Sequence, residues 1–161
     1  MTGDIAPRDG GCNCGRIRYR LRREPLTCTI CHCHRCQKRS GSAFSMSLVV
    51  PVEGVLLLAG EPARTERVTP SGAVNASFDC PACQSRLWSR REGGPTLNLR
   101  AGTLDEAAGI RPVAQFWTSS AQAWAVLPEA EVLTYPEQAA DPAALRAAWR
   151  RLRAGQAAIT P

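Results

Sequence analysis

The chain has 161 residues, of which 44% are hydrophobic and 21% charged, as is typical of one globular domain with a buried core. No apolar run approaches the length that crosses a bilayer, and the first ten residues lack the apolar stretch of a signal peptide. We therefore expect a cytoplasmic protein with reduced thiols and no membrane contact. The net charge is +6, but the arginines are scattered and no nucleic-acid-binding motif accompanies them, which argues against a nucleic-acid partner.

The pattern of apolar residues predicts a chain that is mostly strand. Ile17, Tyr19 and Leu21 alternate with arginines, which is the period of a strand with one buried face. Similar strand-like runs follow at 42–50, 55–58, 65–69, 74–78, 96–100, 113–117 and 124–127. Short strands at this spacing favour an all-β sandwich or an open barrel.

Two local signals interrupt this series of strands. Pro70-Ser71-Gly72 separates two of the runs and is typical of a hairpin turn. Residues 34–39 are expected to form one helical turn beside a metal site, because they follow directly on a group of cysteines.

A change of composition after residue 136 predicts a helical tail. Asp141 is placed to cap this helix, with Pro142 at its first position. Its apolar face would consist of Leu145, Trp149 and Leu152. We expect that face to pack on the domain or on a second subunit as a homodimer contact. The chain is accordingly divided into a β domain at 1–136 and a helical tail at 137–161.

All eight cysteines lie within the first 83 residues, in three groups. The groups are Cys12-x-Cys14, then Cys28 followed by Cys31-x-Cys33-x2-Cys36, then Cys80-x2-Cys83. Thiolates are soft ligands that suit tetrahedral zinc, and such spacings let one turn direct two sulfurs at one ion. Disulfides are not expected, because a cytoplasmic compartment is reducing and these spacings give poor disulfide geometry. The sequence therefore predicts a zinc-binding protein.

The two isolated pairs of cysteines suggest one structural zinc site. Each pair supplies two ligands, so the two pairs need each other to make four. The combined set is Cys12, Cys14, Cys80 and Cys83, which would fasten together the two ends of the cysteine-bearing half.

The central group of cysteines suggests a second site, whose character spacing leaves open. Cys31, Cys33 and Cys36 supply three thiolates and leave one position open, which is the usual arrangement of a reactive zinc. Alternatively, Cys28 closes the site as a fourth ligand and the zinc is inert. Spacing alone does not decide between these two interpretations.

Four segments carry a family resemblance: GGCNCGRIRY at 10–19, CHCHRCQKRSGSAF at 31–44, FDCPACQSRLW at 78–88 and FWTSSAQAW at 116–124. Together they resemble the glutathione-dependent formaldehyde-activating enzymes, a family that includes centromere protein V. The resemblance covers about residues 10–127. It implies a zinc-stapled, mainly β fold of the Mss4-like type, to which the sequence adds a C-terminal helix.

The resemblance also implies two zinc ions per chain. The family pattern assigns the structural zinc to Cys12, Cys14, Cys80 and Cys83. It assigns the second, functional zinc to Cys31, Cys33 and Cys36. Cys28 is then left over, which favours the open site.

The implied activity is that of a carbon–sulfur lyase, similar to an S-(hydroxymethyl)glutathione synthase. Such an enzyme joins a small-molecule thiol, glutathione or another, to an aldehyde such as formaldehyde. An open zinc position would hold the thiol as thiolate and so keep a nucleophile at neutral pH. Arg35, Lys38 and Arg39 lie beside the site in sequence and are candidates to bind the carboxylates of the thiol, although plain surface charge is the simpler explanation for each.

Both histidines of the chain lie in the same cluster. His32, which matches the family's Cys-His-Cys, is a candidate to relay a proton, but a contact beside the metal ligands is the simpler role for it and for His34. Ser40 and Gly41 are expected to form a turn at the floor of the pocket. The predicted core aromatics are Phe44, Phe116, Trp117 and Trp124.

Two segments depart from the family pattern. Gln84 follows Cys83 where the family commonly has glycine, a residue suited to a left-handed backbone. Gln115-Phe116-Trp117 stands where the family commonly has His-Ile-Trp, so another thiol or a larger electrophile remains an alternative. Two other functions also remain open: a non-catalytic zinc module for a protein or nucleic-acid partner, and a metal-handling protein that releases zinc on oxidation.

Overall fold

The structure, a computed structural model, describes residues 4–69, 71–138 and 141–157. Over these residues the chain forms eleven strands and two α-helices. The strands are β1 (Asp4–Gly11), β2 (Arg18–Arg23), β3 (Thr27–Cys31), β4 (Ser45–Pro51), β5 (Val55–Ala59), β6 (Ala63–Val68), β7 (Val74–Asp79), β8 (Arg86–Arg91), β9 (Thr96–Arg100), β10 (Ala114–Phe116) and β11 (Leu133–Tyr135). The helices are α1 (His34–Ser40) and α2 (Pro142–Ala157). The predicted mainly β fold with a C-terminal helix is confirmed.

The chain divides into two compact units. Unit 1 consists of Met1–Pro25 and Leu48–Ile110, and unit 2 consists of Leu26–Ser47 and Arg111–Pro161. Both units draw on two separate stretches of sequence. The division into 1–136 and 137–161 made from the sequence stays a prediction.

Unit 1 carries strands of two sheets. One is a three-stranded antiparallel sheet in the order β1-β2-β5. The other strands form an antiparallel run in the order β9-β8-β7-β6, with each strand paired to its neighbour in the chain. The two pairs of cysteines in this unit lie just after β1 and just after β7, where the chain turns.

The core of unit 1 follows the alternation in β2. Tyr19 and Leu21 are fully buried at 0% exposure, and Ile17 just before the strand is also buried, as predicted. The ring of Trp88 meets Tyr19 edge-on, with the ring centroids 6.0 Å apart, and stacks on Phe78 at 5.6 Å. The arginines of β2 remain outside this core because their side chains point to the opposite face of the strand.

The predicted hairpin between the sixth and seventh strands is present. β6 and β7 pair antiparallel from Ala63↔Asp79 to Val68↔Val74. The connection is held by the Ala73 N–H, which donates to Thr69 Oγ1 at 3.0 Å, and Gly72 has φ +79°. Pro70 lies outside the described residues.

Unit 2 has a parallel arrangement in the order β11-β10-β3. Phe116 of β10 pairs with Cys31 of β3 and with Tyr135 of β11. Two residues separate the end of β3 from the start of the small α1, which forms where the sequence predicts a helical turn. The parallel pairing places Phe116, the last residue of β10, next to Cys31.

The tail helix α2 starts where the sequence predicts. It begins at Pro142, and the Ala143 N–H donates to Asp141 Oδ1 at 2.7 Å, which is an N-terminal cap. Leu145 is buried in a cluster with Ala114 and Phe116 of β10. The apolar face of α2 therefore packs within its own chain, and the homodimer contact stays a prediction.

The predicted strand at 124–127 is wrong. The chain there makes a 3₁₀ turn at Ala123–Ala125, and Trp124 is 78% exposed and so is not a core aromatic. The backbone N–H and C=O of Leu127 bond to the side chain of Gln115 at 3.0 and 2.7 Å instead of to a strand. The predicted strand at 42–50 begins later, at Ser45, because Ser40 Oγ bonds the backbone of Ser42 and Phe44 in a turn.

Candidate metal centres

The first candidate centre is the four-cysteine cluster, formed in unit 1 by Cys12, Cys14, Cys80 and Cys83. Its four sulfurs all lie within 4.8 Å of one another. The Sγ–Sγ distances are 3.5 Å for Cys12–Cys14 and 3.8 Å for Cys14–Cys80. These distances fit a tetrahedral zinc, whose ligand sulfurs, at about 2.3 Å from the ion, are about 3.8 Å apart. The donor set can therefore hold a metal ion.

Two matching turns bring the cysteines of this cluster together. In the first turn, the Gly15 N–H donates to Cys12 O at 3.0 Å, and Gly15 has φ +76°. In the second, the Gln84 N–H donates to Cys80 O at 2.9 Å, and Gln84 has φ +59°. The backbone after Cys83 is left-handed, as suits the glycine that the family commonly has there, although glutamine occupies the position here.

The electrostatics of this cluster favour a thiolate at one of its positions. The Ser85 hydroxyl lies 3.2 Å from Cys83 Sγ and lowers the pKa of that thiol to about 5. In addition, the Ile17 N–H donates to Cys12 Sγ at 3.3 Å. Donors aimed at sulfur stabilise the charged form, which is the form that binds metal.

The second candidate centre is the three-cysteine cluster, formed in unit 2 by Cys31, Cys33 and Cys36. Their sulfurs also lie within 4.8 Å of one another, and among the described residues no other cysteine, histidine or carboxylate belongs to the group. The nearby sulfur of Cys36 and burial raise the pKa of Cys31 well above its usual range. Three thiolates this close repel one another, and a bound cation would offset that repulsion.

The strand β3 and the helix α1 position the three sulfurs. Cys31 is the last residue of β3, and Cys33 is the N-cap of α1. The Cys33 sulfur accepts a hydrogen bond from the backbone N–H of Cys36 at 3.4 Å, which sets these two residues on one turn. The Ser45 hydroxyl donates to Cys36 O at 3.3 Å and holds the same turn from the other side.

Cys28 lies apart from the three-cysteine cluster. It is three residues before Cys31 on β3, and because side chains alternate along a strand, the two cysteines face opposite sides of the sheet. Cys28 is fully buried, and burial raises the pKa of its thiol to about 12. A neutral buried thiol on the other face is not placed to close the site.

The two histidines have different surroundings. His32 is 0% exposed, its ring meets Phe44 edge-on at 5.6 Å, and its Nε2 lies 3.4 Å from Gln115 Oε1. His34 is exposed at the start of α1. Ser40 and Gly41 end that helix, with Gly41 at φ +65°. These two residues form the expected turn.

The candidate anion-binding residues lie on one exposed helix. Arg35, Lys38 and Arg39 are all exposed on α1, the last two in its final turn. Their spacing of i, i+3 and i+4 places them on one face of the helix that carries Cys36, and their role towards a substrate stays a prediction.

Sequence reasoning missed two glutamines that support the three-cysteine cluster. Gln37 donates from Nε2 to His32 O at 2.6 Å and to Ser120 O at 2.9 Å. Gln115 is fully buried and contacts His32, Leu127 and Thr134. For Gln115 the sequence offered two signals, its place inside the otherwise apolar run at 113–117 and its departure from the family's His-Ile-Trp.

The fold and the two clusters define a mainly β protein whose cysteines, apart from Cys28, form two groups that could hold metal ions. The model of the family named glutathione-dependent formaldehyde-activating enzyme matches residues 7–120, which is more than half of the chain. The chain belongs to this family.

No curated protein sequence matches this chain. A crystal structure of a Rhodobacter sphaeroides protein has 14% sequence identity and a TM-score of 0.49, covering 79% of this chain and 98% of that chain. None of the helices in the described part of the chain is long and apolar enough to cross a membrane.

Proposed function

We propose that this protein is a zinc-dependent carbon–sulfur lyase that adds a small-molecule thiol to an aldehyde, with glutathione and formaldehyde as the first pair to test. The family supports a thiol and an aldehyde as the substrate classes. The observation that carries the proposal is the three-cysteine cluster, with three sulfurs close together and Cys28 on the other face of β3.

The two clusters have separate roles in this proposal. The four-cysteine cluster would hold a structural zinc through Cys12, Cys14, Cys80 and Cys83. The three-cysteine cluster would hold a second zinc through Cys31, Cys33 and Cys36. When bound there, zinc supplies an open position that keeps a substrate thiol ionised at neutral pH.

Other residues of the chain hold the three sulfurs in place and present positive charge near them. β3 and α1 fix the three sulfurs, and Gln37 ties α1 to the turn that ends at Ser120. Exposed cations on α1 give an anionic thiol such as glutathione a favourable approach; they are Arg35, Lys38 and Arg39. His32 is packed beside the cluster against Phe44.

In the reaction, the thiolate sulfur forms a bond to the aldehyde carbon, and the carbonyl electron pair moves to oxygen. That oxygen takes a proton from solvent, and the proton lost by the thiol also goes to solvent. The net reaction joins one thiol and one aldehyde to give one hemithioacetal, with no oxidant or reductant. The enzyme therefore needs to bring the two partners together and keep the sulfur ionised.

The test measures zinc content and product on the same samples. Native mass spectrometry should give two zinc ions per chain in wild type and in Cys28→Ser, and one in Cys36→Ser. Carbon-13-labelled formaldehyde with glutathione should give the hydroxymethyl adduct faster with wild type and Cys28→Ser than with Cys36→Ser. If Cys28→Ser also loses one zinc and wild type gives no acceleration, the non-catalytic zinc module becomes the better interpretation.

A further inference from the structure

The buried pair formed by His32 and Gln115 stands beside the three-cysteine cluster. Among the described residues, the hydrogen bond of the His32 ring goes from Nε2 to Gln115 Oε1, over 3.4 Å. The other ring nitrogen, Nδ1, is buried and has no hydrogen-bond partner in the described part of the chain. A buried polar atom is costly unless a partner meets it, so this nitrogen needs an explanation.

The orientation of the Gln115 amide is fixed by the backbone. The Leu127 N–H donates to Gln115 Oε1 at 3.0 Å, and Gln115 Nε2 donates to Leu127 O at 2.7 Å. The same Nε2 donates to Thr134 Oγ1 at 2.9 Å. A backbone N–H only donates and a backbone carbonyl only accepts, so the amide cannot be turned around. The atom that faces His32 is therefore an acceptor.

This orientation determines which nitrogen of His32 carries the proton. An acceptor at Gln115 Oε1 requires a donor at His32 Nε2, which leaves Nδ1 of the neutral ring with a free lone pair. Nδ1 is also the ring nitrogen nearer to the main chain, where His32 is flanked by Cys31 and Cys33. His32 Nδ1 is thus an unprotonated hydrogen-bond acceptor in the segment that carries Cys31 and Cys33.

We infer that Gln115 is a positioning residue that holds His32 as the Nε2–H tautomer, and that His32 Nδ1 accepts a hydrogen bond from the substrate at the three-cysteine cluster. The inference rests on the proposed function for the identity of the substrate. If the thiol enters as thiolate, the only hydroxyl at the reacting carbon is the one formed on the aldehyde oxygen. The group that His32 Nδ1 would bind is therefore the hydroxyl of the hemithioacetal.

The tautomer is tested first, by long-range proton–nitrogen correlation on the zinc-loaded, nitrogen-15-labelled protein. The chain has two histidines, so the spectrum contains two imidazole patterns. The expected result is a pyrrole-like Nε2 and a pyridine-like Nδ1 for His32. A protonated Nδ1 with a bare Nε2 in wild type would overturn the inference.

Variants then test whether Gln115 sets the tautomer. Gln115→Met removes the acceptor and should give His32 a mixture of tautomers, whereas Gln115→Glu keeps an acceptor and should retain Nε2–H. Thr134→Val is the matched control, because it removes one bond of the Gln115 amide without touching His32. Retention of a pure Nε2–H tautomer in folded Gln115→Met would contradict the role of Gln115. If Gln115→Met does not fold, the wild-type tautomer and the Gln115→Glu spectrum decide.

The substrate contact is tested with glutathione alone and with glutathione plus formaldehyde. Only the mixture should shift the Nδ1 resonance of His32 towards the hydrogen-bonded range, since only the adduct carries the hydroxyl. Saturable binding of the adduct with no change at Nδ1 would overturn the substrate contact while leaving the proposed function intact. Absence of any glutathione binding would refute glutathione as the thiol of the proposed function and the contact with its adduct together, and the tautomer spectra would still decide the role of Gln115.

Discussion

Gln37 ties the helix of the three-cysteine cluster to Ser120, whose carbonyl oxygen accepts from Gln37 Nε2 at 2.9 Å. The same nitrogen donates to His32 O at 2.6 Å, so one side chain joins α1, the segment between Cys31 and Cys33, and the 3₁₀ turn Thr118–Ser120. Trp117, just before that turn, has a left-handed backbone at φ +59°. An aromatic residue rarely takes this conformation, and such positions are found where neighbouring contacts enforce them.

Replacing Gln37 should loosen this junction. Gln37→Met keeps the length of the side chain but leaves two carbonyl oxygens without their donor. We expect the free energy of unfolding to fall by about 1–2 kcal/mol, and the KM for glutathione to rise while two zinc ions remain bound. Urea denaturation and steady-state kinetics measure the two effects.

Lys38→Met is the matched control for the stability measurement on the Gln37 variant, because Lys38 is the next residue of α1 and is exposed. Its free energy of unfolding should change by less than about 0.5 kcal/mol. Equal stability of the Gln37 and Lys38 variants would show that the two bonds from Gln37 do not stabilise the fold.

Loss of a ligand should have different consequences in the two clusters. Cys80→Ser in the four-cysteine cluster should remove one zinc and several kcal/mol of stability, because a structural zinc contributes directly to folding. Cys33→Ser in the three-cysteine cluster should also remove one zinc but leave the fold intact, since serine is itself a good N-cap for α1. Zinc content and the melting temperature distinguish the two cases. Equal destabilisation by both variants would mean that both sites are structural.

The left-handed backbone at Gln84 gives a test that does not depend on the metal's chemistry. Gln84→Gly and Gln84→Ala both remove the amide, which donates to Pro81 O at 3.0 Å, so the pair isolates the effect of φ +59°. We expect the glycine variant to be more stable than the alanine variant by about 1 kcal/mol. Thermal unfolding of both zinc-loaded variants measures the difference. If the alanine variant is at least as stable as the glycine variant, the left-handed backbone at position 84 does not strain a residue that has a side chain.

Two ion pairs in unit 1 predict a loss of stability in acid. The hydrogen bonds from Arg18 lower the pKa of Asp105, and those from Arg20, at 2.6 and 2.8 Å, lower the pKa of Asp9. A carboxyl whose pKa is lower in the folded protein than in the unfolded chain stabilises the fold above the unfolded value. That contribution is lost as the pH falls through the folded value, below about pH 4.

Asp105→Asn should therefore reduce stability at neutral pH and make the decline below about pH 4 shallower. Urea denaturation between pH 2.5 and 7, values chosen to bracket the usual carboxyl range of about 4, measures this change. Glu129→Gln, at an exposed glutamate of unit 2, serves as the control and should leave the pH profile unchanged. If the free energy of unfolding of Asp105→Asn falls below about pH 4 as steeply as that of wild type, the pair with Arg18 does not contribute to folding.

The elements that local pattern predicts well are those whose signals lie within a few residues. The alternation around Tyr19 predicted a buried strand face, and Asp141 with Pro142 predicted the start of α2. The grouping of the four isolated cysteines also followed from counting ligands, because each pair alone leaves a tetrahedral ion half bound. These features depend on backbone conformation and coordination number, which neighbouring residues determine.

The remaining features depend on contacts between distant segments. Whether Cys28 joins the second cluster depends on whether residues 28–31 form a strand, because only then does a spacing of three place the two cysteines on opposite faces, and the sequence pattern did not predict a strand there. Trp124 is exposed because Gln115, twelve residues from Leu127, takes the backbone groups that a strand would have used. The sequence by itself thus determined a mainly β, cysteine-rich member of its family, with two groups of metal ligands. Only the tertiary structure decided that Cys28 lies apart from the second group and that Gln115 contacts His32, because both depend on strand pairing and on contacts between distant segments.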